Sequence, residues 1–232
     1  MRITIDISTL TRFLVISIAG LGVLHVLLVA LTEWVLPDSG GLHIVDLFVN
    51  LDQEGGLPMW FSSVLLAVTG LVAFDLARAD HAGRRAWIAL GTVMVFLSLD
   101  EAATVHERIG AALEHNVSGI AELPFNVWVI VYVPFALLAL LLFIPHLSAL
   151  PAPVRNRILL AGALFVGGAA GLEIAVGLAH ADPDSDRVLT QLFALGEELL
   201  EMSGVALLLL SLVAYRTQLD EIGAIASPES VP

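Results

Sequence analysis

The chain has 232 residues, of which 58% are hydrophobic and only 14% are charged, and its mean hydropathy is +0.91. This composition is typical of a polytopic membrane protein rather than of a soluble domain. The formal net charge of -13 argues against nucleic-acid binding. The absence of cysteine excludes disulfides and thiolate metal ligands, and the absence of lysine excludes a retinal Schiff base.

Six apolar stretches are long enough to cross a bilayer, which takes about 20 residues of helix. We therefore predict an all-α fold, an integral membrane bundle of six helices. The bundle forms a single transmembrane domain over 1–216, and 217–232 are expected to form a flexible cytoplasmic tail. The predicted helices cover about 10–36, 59–78, 86–113, 126–148, 158–180 and 190–215.

The distribution of arginine predicts the orientation of this bundle. Arginines precede helix one, lie between helices two and three and between helices four and five, and follow helix six: Arg2, Arg12, Arg78, Arg84, Arg85, Arg155, Arg157 and Arg216. By the positive-inside rule, both termini are expected in the cytoplasm. The lysine-free composition, rich in Ala, Leu, Val and Arg, suggests a GC-rich bacterial genome. We therefore expect the protein in the inner membrane of a bacterium.

The long connection between helices one and two is expected outside the cell. Its segment "LHIVDLFVNL" places Leu42, Val45 and Val49 on one helical face, which predicts a short amphipathic helix on the outer membrane surface. The following "NLDQEGGLP" turns the chain into helix two. It supplies the residues of a candidate lid over any site in the outer half: Asn50, Asp52 and Glu54.

Helix five is rich in glycine, with Gly162, Gly167, Gly168 and Gly171. Small residues let neighbouring helices approach closely in lipid. The pattern therefore predicts that helix five is central and tightly packed.

Titratable side chains occur inside three of the predicted helices. Helix three contains "SLDEAATVHERIG" (98–110) with Asp100, Glu101, His106 and Glu107, helix five contains Glu173, and helix six contains Glu197, Glu198 and Glu201. At 1.5 Å per residue, these positions agree in depth to within roughly 10 Å, in the outer half of the membrane. An acid near the bilayer centre costs about 2.5–3.5 kcal/mol on insertion scales, so such a group of acids indicates a functional site.

Helical phase places most of these acids together but not His106. Asp100, Thr104 and Glu107 fall on one stripe of a regular helix, whereas His106 points away from it. His106 therefore joins the site only if helix three is distorted. The cations expected in the outer half, Arg108 and Arg187, are too few to neutralise the acids.

The leading hypothesis is an outward-facing metal pocket. Carboxylates and histidine from separate helices, without cysteine, suit iron, manganese, zinc or calcium. We predict as metal ligands Asp100, His106, Glu173, Glu197, Glu198 and Glu201. Glu101 and Glu107 are the candidate catalytic residues, as general bases, and His25 and Arg108 are accessory candidates.

Three classes of function remain open at this stage. A metal-dependent membrane enzyme would act on a lipid-like or periplasmic small molecule that reaches the pocket from the bilayer or from outside. A proton- or cation-coupled transporter would use the acids as an ion path. A structural subunit that binds a pigment or haem would use the membrane histidines, but it does not account for so many acids.

Overall fold

The computed structural model describes residues 6–35, 42–51, 53–179 and 187–226, and these residues form helices without any strand. The helices are α1 (Ile7–Ala30, continued by a π-helix over Leu31–Val35), α2 (Leu42–Val49), α3 (Leu57–Ala79), α4 (Arg84–Ala103), α5 (Val105–Asn116), α6 (Val129–Ala149), α7 (Ala152–Val166, continued by a π-helix over Gly167–Leu172), α8 (Glu173–Ala179) and α9 (Arg187–Ala226). A short 3-10 turn at Ile120–Glu122 lies between α5 and α6.

Within the described residues, six helical segments are long and apolar enough to cross a membrane: Ile7–Val35, Leu57–Ala79, Arg84–Ala103, Val129–Ala149, Ala152–Leu178 and Val188–Ile222. These segments confirm the all-α, multi-pass prediction. The third is shorter than predicted because the helix breaks at Thr104. The last extends beyond residue 215, and helix continues through the first part of the predicted tail to Ala226.

The most buried of the six segments is α9, not the predicted helix five. It packs against α1, α3 and α7. Its inward side chains fill the core together with apolar residues of α3, and the largest of them are fully buried, as for Met202 and Leu212. The most exposed segment is α6.

Close packing between α7 and α9 involves one of the predicted glycines and one that was not predicted. Gly204 of α9 lies against the backbone of α7, where an added Cβ would come within 2.7 Å of Phe165 N. Gly168 of α7 lies similarly close to the backbone of α9. The other glycines of helix five, Gly162, Gly167 and Gly171, face open space. The prediction of a tightly packed glycine face therefore holds at one position of four.

The predicted amphipathic helix between the first two spans is present as α2. No residue of α2 is buried, and its large apolar side chains, such as Ile44 and Phe48, are exposed. The chain then returns through Leu51 to the start of α3 at Leu57. This return places Gln53 and Glu54 beside the end of α4 and the first half of α9, where the titratable side chains lie.

Candidate functional site

A cavity of about 240 Å³ lies at the end of the bundle where α3 begins and α4 ends. Its walls come from the 51–59 segment and from α3, α4, α5, α6, α7, α8 and α9. Eight carboxylic acids and one histidine line it: Glu54, Asp100, Glu101, His106, Glu107, Glu173, Glu197, Glu198 and Glu201. We refer to this space as the acidic cavity. Every residue predicted as a metal ligand or catalytic base therefore lines one cavity.

The break between α4 and α5 brings His106 into this cavity. Thr104 adopts left-handed backbone angles (φ 49°, ψ 43°), and it is the one non-glycine residue with positive φ in the described part of the chain. A β-branched residue is a genuine outlier in this region, and such strain concentrates at functional sites. The break redirects the chain so that His106 Nδ1 lies 2.9 Å from Asp100 Oδ2. The distortion on which the placement of His106 depended is therefore present.

Asp100 is the centre of a buried hydrogen-bonded group. Only 6% of the surface of this residue is exposed to solvent. The hydroxyl group of Tyr132 donates to Asp100 Oδ1 over 2.6 Å, while the other oxygen is engaged by His106. The imidazole also packs edge-on against Trp128, with 5.1 Å between the ring centroids. The Asp100 side chain thus fixes His106 rather than offering a free oxygen to the cavity.

This arrangement favours the charged form of His106. Burial of the imidazole opposes its protonation, but the hydrogen bond to Asp100 and the negative charges of Asp100, Glu107 and Glu101 outweigh it and raise the pKa of His106 above its usual value. With Nδ1 directed at Asp100, the second ring nitrogen is the one available for other chemistry.

Two acids from distant parts of the chain share a hydrogen bond at the rim of the cavity. The side chains of Glu54 and Glu107 face each other closely enough to share a hydrogen bond, which forms when one of the two carries a proton. This bond, together with burial and the charge of Glu54, raises the pKa of Glu107 to about 7. The pair links the segment before α3 to α5 and places Glu54 where the candidate lid was predicted.

Four of the remaining acids come from two adjacent helices, α8 and α9, and the fifth, Glu101, follows Asp100 on α4. A π-helix over Gly167–Leu172 precedes Glu173, and π turns are frequent at functional sites because they change the phase of the residues that follow. Glu197, Glu198 and Glu201 project from successive turns of α9 into the same space. The close approach of Gly168 to the α9 backbone brings the two helices together at this level.

The accessory candidates have different positions. His25 is fully buried and lies outside the cavity lining. Leu51 N–H donates to its Nδ1, and its Nε2 lies 3.1 Å from the backbone oxygen of Gln191. Asn50 is also buried outside the lining, and its side chain donates to Asp46. Arg108 is exposed, and Asp52 lies outside the described residues. His25 is therefore a structural link between α1, the 51–59 segment and α9, not a cavity ligand.

Four polar or aromatic wall residues were missed by the sequence analysis: Gln53, Asn126, Trp128 and Tyr132. Tyr132 stands within an apolar helix, so periodicity gave no reason to select it. The residue type itself could have indicated a role. The chain contains only two tyrosines, and a tyrosine inside an apolar helix is expected to have a hydrogen-bond partner for its hydroxyl group.

The described cavity lining contains no arginine or lysine. Its negative charge must therefore be balanced by bound protons or other cations, or screened by water. Among the described residues, no three or more His, Asp or Glu side chains are already arranged to hold a metal ion. The cavity is therefore strongly negative and should attract cations, but its described carboxylates are not arranged around a single point.

A family model described as a domain of unknown function (DUF8692) matches residues 14–215. This range contains all six membrane-compatible segments almost completely and every residue that lines the acidic cavity. No curated protein and no solved structure matches the chain.

Proposed function

The chain belongs to the DUF8692 family, and we propose that its acidic cavity binds a divalent metal cation on the outer side of a bacterial inner membrane. The observation that carries this proposal is the convergence of eight carboxylic acids and one histidine on a cavity whose described lining contains no arginine or lysine. One divalent cation can neutralise two carboxylates that both coordinate it. Protons, in contrast, neutralise each carboxyl group separately and do not hold the two groups together.

The hydrogen bonds of Asp100 support a specific division of roles. A metal-binding histidine usually donates its other ring nitrogen to a carboxylate, which fixes the tautomer and the orientation of the ring. The contact between His106 Nδ1 and Asp100 has this form, so we assign Nε2 of His106 as the nitrogen ligand. Asp100 then acts as a positioning residue, because Tyr132 and His106 engage its two oxygens.

The oxygen ligands would come from the glutamates of α4 and α9. Glu101, Glu198 and Glu201 all line the cavity, and glutamate side chains have enough rotatable bonds to close on an ion. Binding would therefore draw these carboxylates together from their present separation. An oxygen-rich set with one imidazole suits iron, manganese or zinc, and its all-oxygen part suits calcium.

A metal at this position supports hydrolytic or oxygen chemistry in an enzyme. A bound metal makes water a nucleophile near neutral pH, and a glutamate outside the ligand set serves as general base. Glu107 fits that second role because its pKa of about 7 lets it take up and release a proton near neutral pH. The proposed substrate is a lipid-like or small molecule that enters at the open end of the cavity.

A second candidate is a proton-binding site in a transporter, and the raised pKa of Glu107 beside Glu54 favours it. The half of the bundle away from the acidic cavity argues against a path for protons or cations across the membrane. Its hydroxyl groups at Thr69, Thr92 and Ser211 donate to carbonyl groups of their own helices. Below the cavity, a continuous cluster of buried apolar side chains fills the space between the helices. A haem or pigment role through His25 loses support because backbone groups engage both of its ring nitrogens.

Elemental analysis of detergent-purified protein tests the proposal. The test variant is Glu198→Gln/Glu201→Gln, and the matched control is Glu114→Gln, an exposed acid of α5 outside the cavity. We expect about one equivalent of metal in the parent and the control, and a loss of most of it in the double variant. Metal-free protein in all three, even after incubation with iron, manganese, zinc and calcium, would overturn metal binding. Proton uptake by vesicles containing the parent would then support the transporter.

A further inference from the structure

Helix α6 is anchored to the rest of the bundle at its two ends but not between them. Only 6% of its apolar stretch is buried, against 22–56% for the other five membrane-compatible segments. At the end near the acidic cavity, Trp128 and Val129 pack against Ala170 of α7. At the other end, Leu147 belongs to the main core. No residue between positions 130 and 146 is buried, so the middle of α6 stands apart from its neighbours.

The unpacked middle of α6 opens on the side of α7 rather than on the side of α4. On the α4 side, the rings of Phe96 and Phe135 lie together, with 6.4 Å between their centroids. On α7, Gly162, Val166 and Ala170 are spaced four residues apart and share one stripe. Ala170 is buried against α6, but Val166 is 40% exposed, and a Cβ at Gly162 would meet nothing within 4 Å. The contact between α6 and α7 therefore ends soon after Ala170.

Small side chains border this gap on α6 as well. Between positions 134 and 142, only Ala136 and Ala139 are partly buried, which identifies the side of α6 that faces the bundle. Small residues normally let two membrane helices approach each other closely. Here they border an open space instead. We refer to the space between Ala136 and Ala139 of α6 and Gly162 and Val166 of α7 as the α6–α7 slot.

The α6–α7 slot meets the acidic cavity at the apolar end of that cavity. Leu97 and Phe165 line the cavity, and they precede Glu101 and Glu173 by one turn and two turns of their helices. They therefore lie deeper in the bundle than these acids. Phe165 also follows Gly162 by three residues, so it borders both the cavity and the slot. An apolar surface thus leads from the acids to the slot.

The dimensions of the slot favour a thin, apolar occupant. Both anchored ends of α6 would have to separate before another helix, about 10 Å across, could enter. A hydrocarbon chain is much thinner, because nonbonded carbon atoms approach each other to about 4 Å. The slot lies between two membrane-compatible segments, where the surrounding solvent is itself hydrocarbon. Its four bordering residues carry no polar side chain, so they match such a chain.

We propose that the α6–α7 slot admits one hydrocarbon chain of a membrane lipid, whose polar end then lies among the acids of the acidic cavity. The substrate is accordingly an amphiphile with at least one long apolar chain, and it enters from the bilayer between α6 and α7. This assignment of a substrate rests on the proposed function of the acidic cavity, whereas binding of the chain in the slot does not require a metal.

The test measures binding of monoolein, a neutral lipid with one long chain, to the full chain in detergent by native mass spectrometry. The slot variant is Gly162→Leu, and the matched control is Ala163→Leu at the next, exposed position of α7. Monobutyrin, which has the same head group and a short chain, is the control ligand. We expect roughly 10-fold weaker monoolein binding in Gly162→Leu, the effect of displacing about two methylene groups. We expect unchanged monoolein binding in Ala163→Leu, and much weaker binding of monobutyrin than of monoolein to the parent.

Three results would overturn the proposal: equal monoolein binding by parent and Gly162→Leu, equal losses in Gly162→Leu and Ala163→Leu, or equal affinities for monobutyrin and monoolein. A dimer of the parent that Gly162→Leu dissociates would assign the slot to a second copy of the chain and would also overturn it. Thermal melting checks folding. If Gly162→Leu does not fold, Ala139→Leu fills the slot from α6, and full monoolein binding by that variant contradicts the proposal.

The metal content of the same samples separates this proposal from the proposed function. We expect Gly162→Leu to keep the metal of the parent, because position 162 is outside the lining of the acidic cavity. Metal-free parent protein that still loses monoolein on Gly162→Leu would overturn the metal site and support the slot. Metal-loaded parent protein that binds no monoolein would overturn the slot and support the metal site.

Discussion

At the scale of single residues, the contact between Tyr132 and Asp100 tests whether the buried carboxylate acts through His106. Tyr132→Phe removes one hydroxyl group and leaves Asp100 with a single partner, His106. Loss of such an outer partner weakens metal binding by about 10- to 100-fold, so we expect a drop of at least about tenfold in divalent-cation affinity by calorimetry. Tyr215→Phe, at the other tyrosine of the chain, is the matched control and should leave the affinity unchanged. Equal affinities in parent and Tyr132→Phe would contradict the positioning role of Asp100.

The hydrogen bond between Glu54 and Glu107 predicts how stability depends on pH. That bond and burial raise the pKa of Glu107 to about 7, so the folded state binds more protons than the unfolded state between about pH 4.5 and 7. Its stabilising contribution is therefore complete at low pH and is lost as pH rises through 7. The raised pKa of His106 changes stability with pH in the same direction. The negative charge of Glu173 also contributes to the raised pKa of Glu107.

We accordingly expect the melting temperature of the metal-free protein in detergent to fall between pH 5 and pH 8. Glu107→Gln should reduce this slope and leave the part that comes from His106, whereas Glu114→Gln should keep the parent slope. A melting temperature of the parent that rises over this range would contradict the shared proton.

At the scale of secondary-structure elements, the α4–α5 break predicts opposite effects of two neighbouring glycine substitutions. Thr104 is held in the left-handed region, which costs an L-residue roughly 1–2 kcal/mol. Thr104→Gly should therefore stabilise the fold by about 1 kcal/mol, a rise of about 2–4 °C in melting temperature for a chain of this size. Ala103→Gly, one residue earlier in regular helix, should destabilise it by about 1 kcal/mol. A lower melting temperature for Thr104→Gly would show that the strain is not present in solution.

The contact between α7 and α9 predicts a similar contrast between two helical glycines. A Cβ at Gly204 would lie 2.8 Å from Ala161 O, and backbone atoms of α7 cannot move aside as a side-chain tip can. A Cβ at Gly162 meets nothing within 4 Å. Both substitutions to alanine gain the same helix propensity, so the difference in melting temperature isolates the clash. We expect Gly204→Ala to be destabilised by about 1–3 kcal/mol and Gly162→Ala to be unchanged or stabilised. Equal melting temperatures would show that α7 and α9 are further apart.

The hydrophobic runs of the sequence predict the six long helices because each run matches the thickness of a bilayer. The break at Thr104 could not be predicted, since "DEAATVHER" contains neither glycine nor proline. It is accompanied by contacts of Asp100 with His106 on the far side of the break and with Tyr132 of α6, which residue patterns within one helix do not reveal. The acids could be selected as site residues from the sequence because charge inside a membrane helix is costly. The role of Tyr132 could not, because it depends on how α6 packs beside α4.

At the scale of the whole molecule, the acidic cavity lies at one end of the bundle, and Arg84 and Arg85 line a separate cavity at the opposite end. The acids and the arginines thus make the two ends chemically different, and the positive-inside rule then predicts which end faces the cytoplasm. We therefore expect the acidic cavity to open to the periplasm, where divalent cations and lipid-like substrates would enter without crossing the membrane.

Because the chain contains no cysteine, single-cysteine variants can test this orientation directly. Ser118→Cys lies in the exposed connection between α5 and α6 at the acidic end, and Ala152→Cys lies at the exposed start of α7 at the opposite end. A membrane-impermeant maleimide should label residue 118 in intact cells and residue 152 only after the inner membrane is opened. The cysteine-free parent is the control for background labelling. The reverse pattern would place the acidic cavity in the cytoplasm, where the bound cation would come from the cellular pool. Labelling of both positions in intact cells would contradict an odd number of membrane crossings between them, and with it the assignment of α6 as a span.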